Sequence, residues 1–330
     1  MKNGLLLINL GTPDHPSISS VRRYLREFLS DKRVISLPAP LRYLLLYGFI
    51  LPFRTKRSTH AYQTIWTPHG SPLLLNGLKM AEKLQHRLAS NYKVVLGMRY
   101  GNPSLLDALN QLQDCETLTI LPLYPQYSSA ATGSSIEKTL EILSSKSIIP
   151  NIKVIRDFHN HPGFIKALTT LVEPYIPQHD YLMFSYHGIP SHQLHPNKDQ
   201  FLCDVRCSDK NAQGCYRTQC LQTTALVAQH LGLNWERYGT AFQSRMGKTP
   251  WIKPYTDERL CELAAEGKKR LAIVCPSFVS DCLETLEEIG IRMKKRWLDL
   301  GGEELTLIPC LNDSESWLEA IIDITTGSCH

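Results

Sequence analysis

Short apolar runs alternate with amphipathic segments along most of the chain. The apolar runs predict strands at 5–10, 92–99, 118–123, 153–156, 181–186, 235–243 and 271–274. Segments whose apolar positions recur at helical spacing predict helices at 17–29, 73–88, 103–112, 161–175, 221–231 and 256–266. Such alternation is typical of βαβ units, in which helices join parallel strands.

The two halves of the chain resemble each other in layout. LLLINLGTP at 5–13 and LMFSYHGIP at 182–190 both run from an apolar stretch to Gly-x-Pro, and LTILPLYPQYS at 118–128 pairs similarly with LAIVCPSFVSD at 271–281. Common turn chemistry explains this likeness as well as duplication does, because turns after strands favour Gly and Pro. Duplication predicts an α/β fold of two similar Rossmann-like lobes. Each would be a parallel sheet flanked by helices, with the active site in a cleft between them, lined by strand-end loops.

The most apolar segment is LRYLLLYGFILPF at 41–53. It contains an Arg and a Pro and is shorter than the roughly 20 residues that a helix needs to span a bilayer. We weigh three interpretations: a core helix, a surface for a partner, or a lip that contacts a membrane or a hydrophobic substrate. Contact with a membrane would make the protein peripheral on the inner membrane.

Composition indicates a globular protein and narrows its partners. The chain has 330 residues, enough for two lobes with separate cores, and 43% of them are hydrophobic and 20% charged. The net charge of +5 favours anionic ligands only weakly, and no basic run or RNA-type aromatic motif points to nucleic acid. The apolar run at 5–10 is too short for a signal peptide, so we expect a cytoplasmic protein.

Four of the ten cysteines lie close together in the sequence. Cys203, Cys207, Cys215 and Cys220 are spaced C-x3-C-x7-C-x4-C, whereas the other six are scattered and are interpreted as buried apolar thiols. A disulfide framework is not expected in a reducing compartment. Four such thiols suit a thiolate-bound cluster, with zinc and free thiols as the alternatives. Zinc ribbons usually show two C-x2-C pairs, which this segment lacks.

Two distant stretches carry candidate catalytic groups. His187 directly follows the apolar run at 181–186, a position where ligands bind in open α/β sheets. Glu284 and Glu288 are i,i+4 neighbours on a predicted helix that Asp281 can cap. Taken singly, a packed histidine and a solvated acidic face are the commoner outcomes. Near a closed site, however, the like charges would raise the affinity of one carboxylate for a proton or a cation.

Eight motifs, in order along the chain, resemble one known family. They are INLGTP at 8–13, FLSDKRVI at 28–35, AYQTIW…GSPL at 61–73, MRYGNP at 98–103, LYPQYSSAATGSS at 123–135, SYHGIP at 185–190, FQSRMG at 242–247 and SDCLETLEE at 280–288. Together they are similar to the ferrochelatases, the terminal enzymes of haem synthesis. Each motif alone is weak, but eight in the family's order and spacing make chance agreement hard to credit.

The resemblance implies a chelatase-like fold and a lyase that inserts its substrate Fe2+ into protoporphyrin IX, releasing two protons. The family's catalytic histidine and glutamate, on opposite sides of the cleft, correspond to His187 and Glu284. Imidazole suits ferrous iron, and a carboxylate is a proton acceptor or a hard ligand, so both residues are expected to contact the iron. Whether His187 delivers iron or accepts protons stays open. The alternative is a non-catalytic tetrapyrrole or metal-cluster binding protein of the same fold.

The resemblance also implies porphyrin-binding residues. Arg54 and Ser71 match residues that hold the propionates, since a carboxylate is best held by charge-assisted hydrogen bonds. Arg99, Tyr100 and Tyr127 match residues that line the porphyrin face. Coproporphyrin is the alternative to protoporphyrin, and the sequence does not decide between them.

Two further positions complete this implied site. Leu10 corresponds to an apolar contact below the ring, and Glu288 continues the acidic path behind Glu284. Some relatives extend the acidic row by another helical turn, where this chain has Arg292. A longer carboxylate ladder is therefore not expected here.

The resemblance also suggests a cofactor and a division into domains. Certain bacterial ferrochelatases carry an internal [2Fe–2S] cluster in the corresponding cysteine segment, which favours this cluster over Zn2+ or none. Metallation involves no net electron transfer, so the cluster would be structural or a sensor of oxidation. We expect an N-terminal lobe at 1–122 with the lip, on which 307–330 packs, and a C-terminal lobe at 123–306. The sequence does not distinguish a monomer from a homodimer.

Overall fold

The computed structural model describes residues 3–194, 214–247 and 249–327. In this part of the chain, two four-stranded sheets are formed entirely of parallel strands. The strands are Asn3–Thr12 (β1), Tyr92–Gly101 (β2), Thr117–Pro122 (β3), Asn151–Val154 (β4), Tyr181–His187 (β5), Tyr238–Gln243 (β6), Arg270–Val274 (β7) and Glu304–Leu307 (β8). All seven predicted strands are therefore present, and β8 was not predicted.

Helices connect these strands. The α-helices are Ile18–Ser30 (α1), Ala39–Leu45 (α2), Leu51–Ile65 (α3), Pro72–Leu88 (α4), Leu105–Gln111 (α5), Ser134–Ser144 (α6), Pro162–Val172 (α7), Tyr216–His230 (α8), Thr256–Ala265 (α9), Lys294–Asp299 (α10) and Glu315–Thr326 (α11). π-Helical segments are Leu46–Ile50, Ser129–Gly133 and Glu284–Met293. Short 3-10 turns are Ala89–Asn91, Glu173–Gln178, Ser191–Gln193 and Trp235–Arg237.

The two sheets have the same strand order. One is ordered β2-β1-β3-β4 and the other β6-β5-β7-β8. The sequence pairs that suggested duplication fall on equivalent strands, β1 with β5 and β3 with β7. The predicted fold class, two similar α/β units with parallel sheets flanked by helices, is confirmed.

A glycine lies near the end of β1 and another directly after β5, because the neighbouring backbone comes too close for a side chain. A Cβ atom on Gly11, whose φ is +120°, would lie 1.8 Å from the carbonyl oxygen of Tyr100 on β2. A Cβ atom on Gly188 would lie 2.8 Å from the carbonyl oxygen of Gln243 on β6. Only glycine fits such close approaches, which explains the glycine of the Gly-x-Pro pattern at both strand ends.

Each sheet buries its own apolar core. Members of the first core include Leu6, Ile8, Val95, Leu109 and Ile120. Members of the second include Met183, Leu260, Ile273, Ile289 and Trp297. Fully burying one side chain of this size stabilises a fold by roughly 1.5–3 kcal/mol. The buried side chains on each sheet therefore contribute substantially to the stability of that unit.

The compact units differ from the predicted boundaries. The first comprises the described parts of Met1–Tyr124, Ser128–Asp157 and Ile322–His330, and the second those of Pro125–Tyr127 and Phe158–Ile321. Residues 128–157 join the first unit instead of the predicted C-terminal lobe at 123–306, because β4 pairs with β3. Of the tail at 307–330, only the part from Ile322 onwards belongs to the first unit.

The apolar segment at 41–53 is helical, and most of its large side chains are exposed. Leu46 and Leu51 are buried, but the exposed fraction is between 44% and 78% for Leu41, Tyr43, Leu44, Tyr47, Phe49 and Phe53. A core helix is thus the wrong interpretation for most of this segment. Among the described residues, no helix is long and apolar enough to cross a membrane.

Candidate active site

His187 ends strand β5, and a backbone contact favours one tautomer of its neutral ring. Its Nδ1 atom lies 2.6 Å from the carbonyl oxygen of Gly188. A carbonyl oxygen can only accept, so Nδ1 carries the hydrogen in this contact. In the neutral ring the lone pair is then on Nε2, the form in which imidazole binds a metal or takes up a proton.

Two aromatic rings flank this half-buried imidazole. The ring centres of Trp251 and Phe278 lie 6.4 and 6.1 Å from that of His187. The indole Nε1 of Trp251 donates to the carbonyl oxygen of Met246, 2.9 Å away, which fixes the indole. The imidazole therefore lies between two aromatic side chains and is only partly exposed.

Gln243 connects the histidine strand to the helical segment that carries the glutamates. It is the register partner of His187 in the β5–β6 pair. Its side-chain Nε2 donates to the backbone carbonyl of Glu284 over 2.8 Å, while its Oε1 accepts from Ser185 Oγ over 2.7 Å. His187 and Glu284 therefore lie in the same unit and are joined through one buried glutamine.

The two predicted carboxylates occupy successive turns of the π-helical segment Glu284–Met293. Glu284 is half-buried and Glu288 is buried. π-Helical turns are rare and are found frequently at functional sites. Asp281 does not cap this helix as predicted, because its carboxylate accepts from the backbone N–H of Cys310 and the side chain of Asn312.

Ser244 binds the Glu288 carboxylate with two donors. Its backbone N–H and hydroxyl lie 2.9 and 2.5 Å from the two carboxylate oxygens. Ser244 has a φ of +66°, a left-handed conformation that is uncommon outside glycine. Burial raises the pKa of Glu288, although the Ser244 hydrogen bonds and the charges of Arg292 and His187 act in the opposite direction.

Arg292 ends the acidic row. Its Nε donates to both carboxylate oxygens of Glu287 at 2.9 and 2.8 Å, and its Nη2 lies 3.8 Å from the Glu288 carboxylate. At the position where some relatives continue the row with another acidic residue, this chain has a cation that pairs with Glu287 and lies near Glu288. Gln243 and Ser244 beside this row, and Ser277 beside His187, had no role assigned from sequence, although FQSRMG at 242–247 had matched the family.

Arg99 and Tyr100 form a polar cluster in the first unit. Nη2 of Arg99 pairs with Asp31 at 2.7 Å, and its Nε donates to Ser134 Oγ at 2.7 Å. The Tyr100 hydroxyl donates to the same Asp31 carboxylate at 2.8 Å. Tyr100 is fully buried in this cluster, and its contact with the porphyrin stays a prediction. The side chains of Arg99, Tyr100, Asp31 and Ser134 hydrogen-bond to one another, which makes the burial of the Tyr100 hydroxyl possible.

The other residues implied for porphyrin binding occupy strand and helix ends. Leu10 is half-buried near the end of β1, Arg54 is half-buried on α3, and Ser71 precedes α4 and accepts from Thr12 Oγ1 at 2.9 Å. These three lie in the first unit, whereas Tyr127 lies in the second. The backbone N–H of Tyr127 donates to Gln219 Oε1 of α8 over 2.6 Å.

Two of the four clustered cysteines, Cys215 and Cys220, lie within the described residues. Cys203 and Cys207 lie outside them. Cys215 directly precedes α8, Cys220 lies in its second turn, and both are buried. In the described ranges, no group of three or more His, Cys, Asp and Glu side chains is arranged to hold a metal ion.

Comparison with known proteins identifies the family of this chain. The ferrochelatase family model matches residues 2–328. The chain belongs to the ferrochelatase family. A ferrochelatase of Legionella pneumophila (strain Corby) is 56% identical over 327 residues, which covers 98% of both chains. One of Coxiella burnetii (strain Dugway 5J108-111) is 47% identical over 336 residues, covering 99% of this chain and 94% of that protein.

Solved chelatase structures share the fold with this ferrochelatase family member. SirB from Bacillus subtilis with Fe3+ aligns with a TM-score of 0.57 at 11% identity, covering 99% of this chain and 97% of that one. The sirohydrochlorin chelatase SirB from Bacillus subtilis subspecies spizizenii in complex with cobalt gives a TM-score of 0.56 at 9% identity, with the same coverage. At such low identity, these likenesses support the two-unit α/β chelatase fold alone.

Proposed function

We propose that this protein inserts Fe2+ into protoporphyrin IX, forming protohaem and releasing two protons in the last step of haem biosynthesis. The observation that carries the proposal is the Nδ1–H contact of His187 with Gly188, because it leaves the lone pair on Nε2. That lone pair can bind ferrous iron or accept a pyrrole proton. Membership of the ferrochelatase family supports this reaction.

The acidic row supplies the second half of the chemistry. Glu284, held at its backbone by Gln243, is the carboxylate we assign to the iron or to a pyrrole proton. Behind it, Glu288 can hold a proton at a higher pH than an ordinary carboxylate, because burial raises its pKa. Protons leaving the porphyrin would pass from Glu284 to Glu288, and the row ends at Arg292.

Substrate binding involves the residues that the family resemblance implies. Arg54 and Ser71 would hold the propionates, while Leu10 and Tyr127 would contact the ring. Arg99 would line the porphyrin face with its guanidinium group held in place by Asp31 and Ser134. Tyr100 would support that cluster from within the core of its unit.

The exposed apolar side chains of 41–53 would form the lip over the porphyrin. A porphyrin is a large, flat, mostly apolar ligand, and contiguous exposed apolar residues usually mark a binding surface. The same residues could also contact a membrane, as a protein bound peripherally at the inner membrane would require. A cytoplasmic location is part of this proposal.

A metal-insertion assay tests the proposed function. Purified protein, supplied anaerobically with Fe2+, is expected to convert protoporphyrin IX to protohaem, with coproporphyrin III a slower substrate. The change from porphyrin to haem absorption measures the rate for each. A protein that binds protoporphyrin tightly but forms no haem would contradict the proposal and support a non-catalytic tetrapyrrole-binding protein. A faster reaction with coproporphyrin would contradict the choice of substrate.

The four cysteines would hold a [2Fe–2S] cluster. Cys215 and Cys220 fit this group, since both thiols are buried near the start of one helix. Nη1 of the adjacent Arg217 is buried without a hydrogen-bond partner among the described residues, and a buried cation suits an anionic thiolate cluster. Such a cluster supplies structural stability or sensitivity to oxidation.

Anaerobically purified protein should therefore be reddish and contain iron and acid-labile sulfide in about equal amounts. Changing Cys207 or Cys215 to Ser should remove the visible absorption, because each would supply one of the four thiolates. Cys261→Ser is the matched control, since Cys261 is a half-buried thiol on α9 outside the segment. Colourless protein with stoichiometric zinc would contradict the iron–sulfur assignment.

A further inference from the structure

His187 lies beyond the last residue of β5 that pairs with β7, so its backbone has no strand partner on that side among the described residues. In parallel sheets, each residue directs its N–H and C=O to one neighbour, and successive residues alternate between neighbours. The N–H of Gly188 donates to the carbonyl of Gln243 on β6 over 2.8 Å. The N–H and C=O of His187 therefore face β7, whose register with β5 ends at the pair Phe184 and Val274.

Two hydroxyl side chains take the place of the missing strand. The N–H of His187 donates to Ser277 Oγ at 3.1 Å, and the Tyr216 hydroxyl donates to the carbonyl of His187 at 2.8 Å. The two hydroxyl oxygens are 3.0 Å apart. Because the Tyr216 hydrogen is used on the carbonyl, the Ser277 hydroxyl donates to Tyr216. The three hydrogen bonds form a closed ring through both backbone groups of His187.

We propose that Tyr216 and Ser277 are positioning residues for metal insertion, which hold the peptide of His187 so that its imidazole stays fixed in the site. This inference rests on the proposed function. Tyr216 is buried at the start of α8, so its hydroxyl is held by a helix packed in the same unit. A displacement of about 1 Å at a reacting group can cost about 100-fold in rate, so weakening the ring should slow the reaction.

The first test removes one hydroxyl from the ring. Tyr216→Phe should lower kcat about tenfold, with the KM for porphyrin within about twofold of wild type, because the substrate-binding residues are untouched. Tyr186→Phe is the matched control. Tyr186 is also buried, and its hydroxyl bonds to Thr224 Oγ1 at 2.9 Å, away from the His187 backbone. The control should lose similar thermal stability and keep its kcat.

A double-mutant cycle separates positioning from general loss of structure. Ser277→Ala should lower kcat about as much as Tyr216→Phe, and the double variant should be no slower than either single one, because each change opens the same ring. Ser277→Thr keeps the hydroxyl and should restore most of the rate. If Tyr216→Phe keeps the kcat of the control, or if the two losses multiply, the ring does not position His187.

Hydrogen exchange at the His187 amide, measured by NMR, tests the ring without catalysis. Ser277→Ala should raise the exchange rate of this amide at least tenfold and leave other amides of β5 unchanged, since it removes the acceptor of that N–H. Unchanged exchange would contradict the ring itself. Absence of haem formation by wild-type protein, by contrast, would contradict the proposed function.

Discussion

Replacing His187 with Ala should abolish haem formation and leave porphyrin binding intact. The change removes the only imidazole that we place in the site, along with the Nε2 lone pair that the Gly188 contact prepares. General acid–base groups contribute about 10²- to 10⁴-fold to rates, so turnover should fall at least a hundredfold. Haem formation is followed by absorption, and porphyrin affinity by fluorescence titration in the absence of iron.

His230→Ala is the matched control for this variant. The Nδ1 atom of His230 also lies against a backbone carbonyl, that of Leu226 at 2.8 Å, but on the exposed end of α8. Its activity should stay at the wild-type level. Retained turnover in His187→Ala would remove His187 from the mechanism, and lost porphyrin binding would make it a binding residue.

A second substitution separates the two roles proposed for His187. Glutamine offers an amide oxygen near the position of Nε2, which can act as a weak metal ligand but not as a base at neutral pH. If His187 delivers iron, His187→Gln should chiefly raise the KM for Fe2+. If His187 accepts protons, kcat at saturating iron should fall instead.

Replacing Glu284 with Gln should lower kcat about a hundredfold or more. The amide keeps the shape of the side chain but has no negative charge, so it neither accepts a pyrrole proton nor balances the charge of iron. Glu284 is half-buried and its backbone is held by Gln243, so we expect little change in the thermal midpoint of unfolding. Single-turnover formation of haem measures the chemical step directly.

Glu287→Gln provides the control on the same helical segment. Glu287 pairs with Arg292, and Glu287→Gln removes one negative charge while Glu284 and Glu288 stay in place. This variant should keep at least about half of the wild-type kcat, because both carboxylates of the proposed path, Glu284 and Glu288, are retained. Equal losses in both variants would mean that net charge, and not the Glu284 carboxylate itself, supports the reaction.

The apolar runs of the sequence were sufficient for seven of the eight described strands and for the fold class. Apolar runs at 181–186 and 271–274 became β5 and β7 because a buried parallel strand needs apolar side chains on both faces. The helix predicted at 221–231 begins earlier, at Tyr216, and the strand predicted at 235–243 begins later, at Tyr238. The ends of helices and strands are set by caps and short turns, which depend on neighbouring elements. The spacing of apolar residues does not report those ends.

The domain limits could not be predicted from local pattern. Strands β4 and β8 are only four residues long, and each is defined by pairing with a strand that lies earlier in the chain. Pairing is a long-range contact, so the sequence around 151–154 or 304–307 carries little sign of it. For the same reason, the exposure of the segment at 41–53 was decided by which face the core covered.

The sequence by itself determined the parallel α/β fold, the glycines at two strand ends and the residue types that chelation chemistry needs. Tertiary structure alone decided the state of those residues. The hydrogen bonds from Ser277 and Tyr216 to the His187 backbone, the two donors from Ser244 to Glu288 and the burial of Tyr100 against Asp31 all depend on atoms far apart in sequence. Hydrogen bonds and burial act over a few ångströms in space, and only folding brings those partners together.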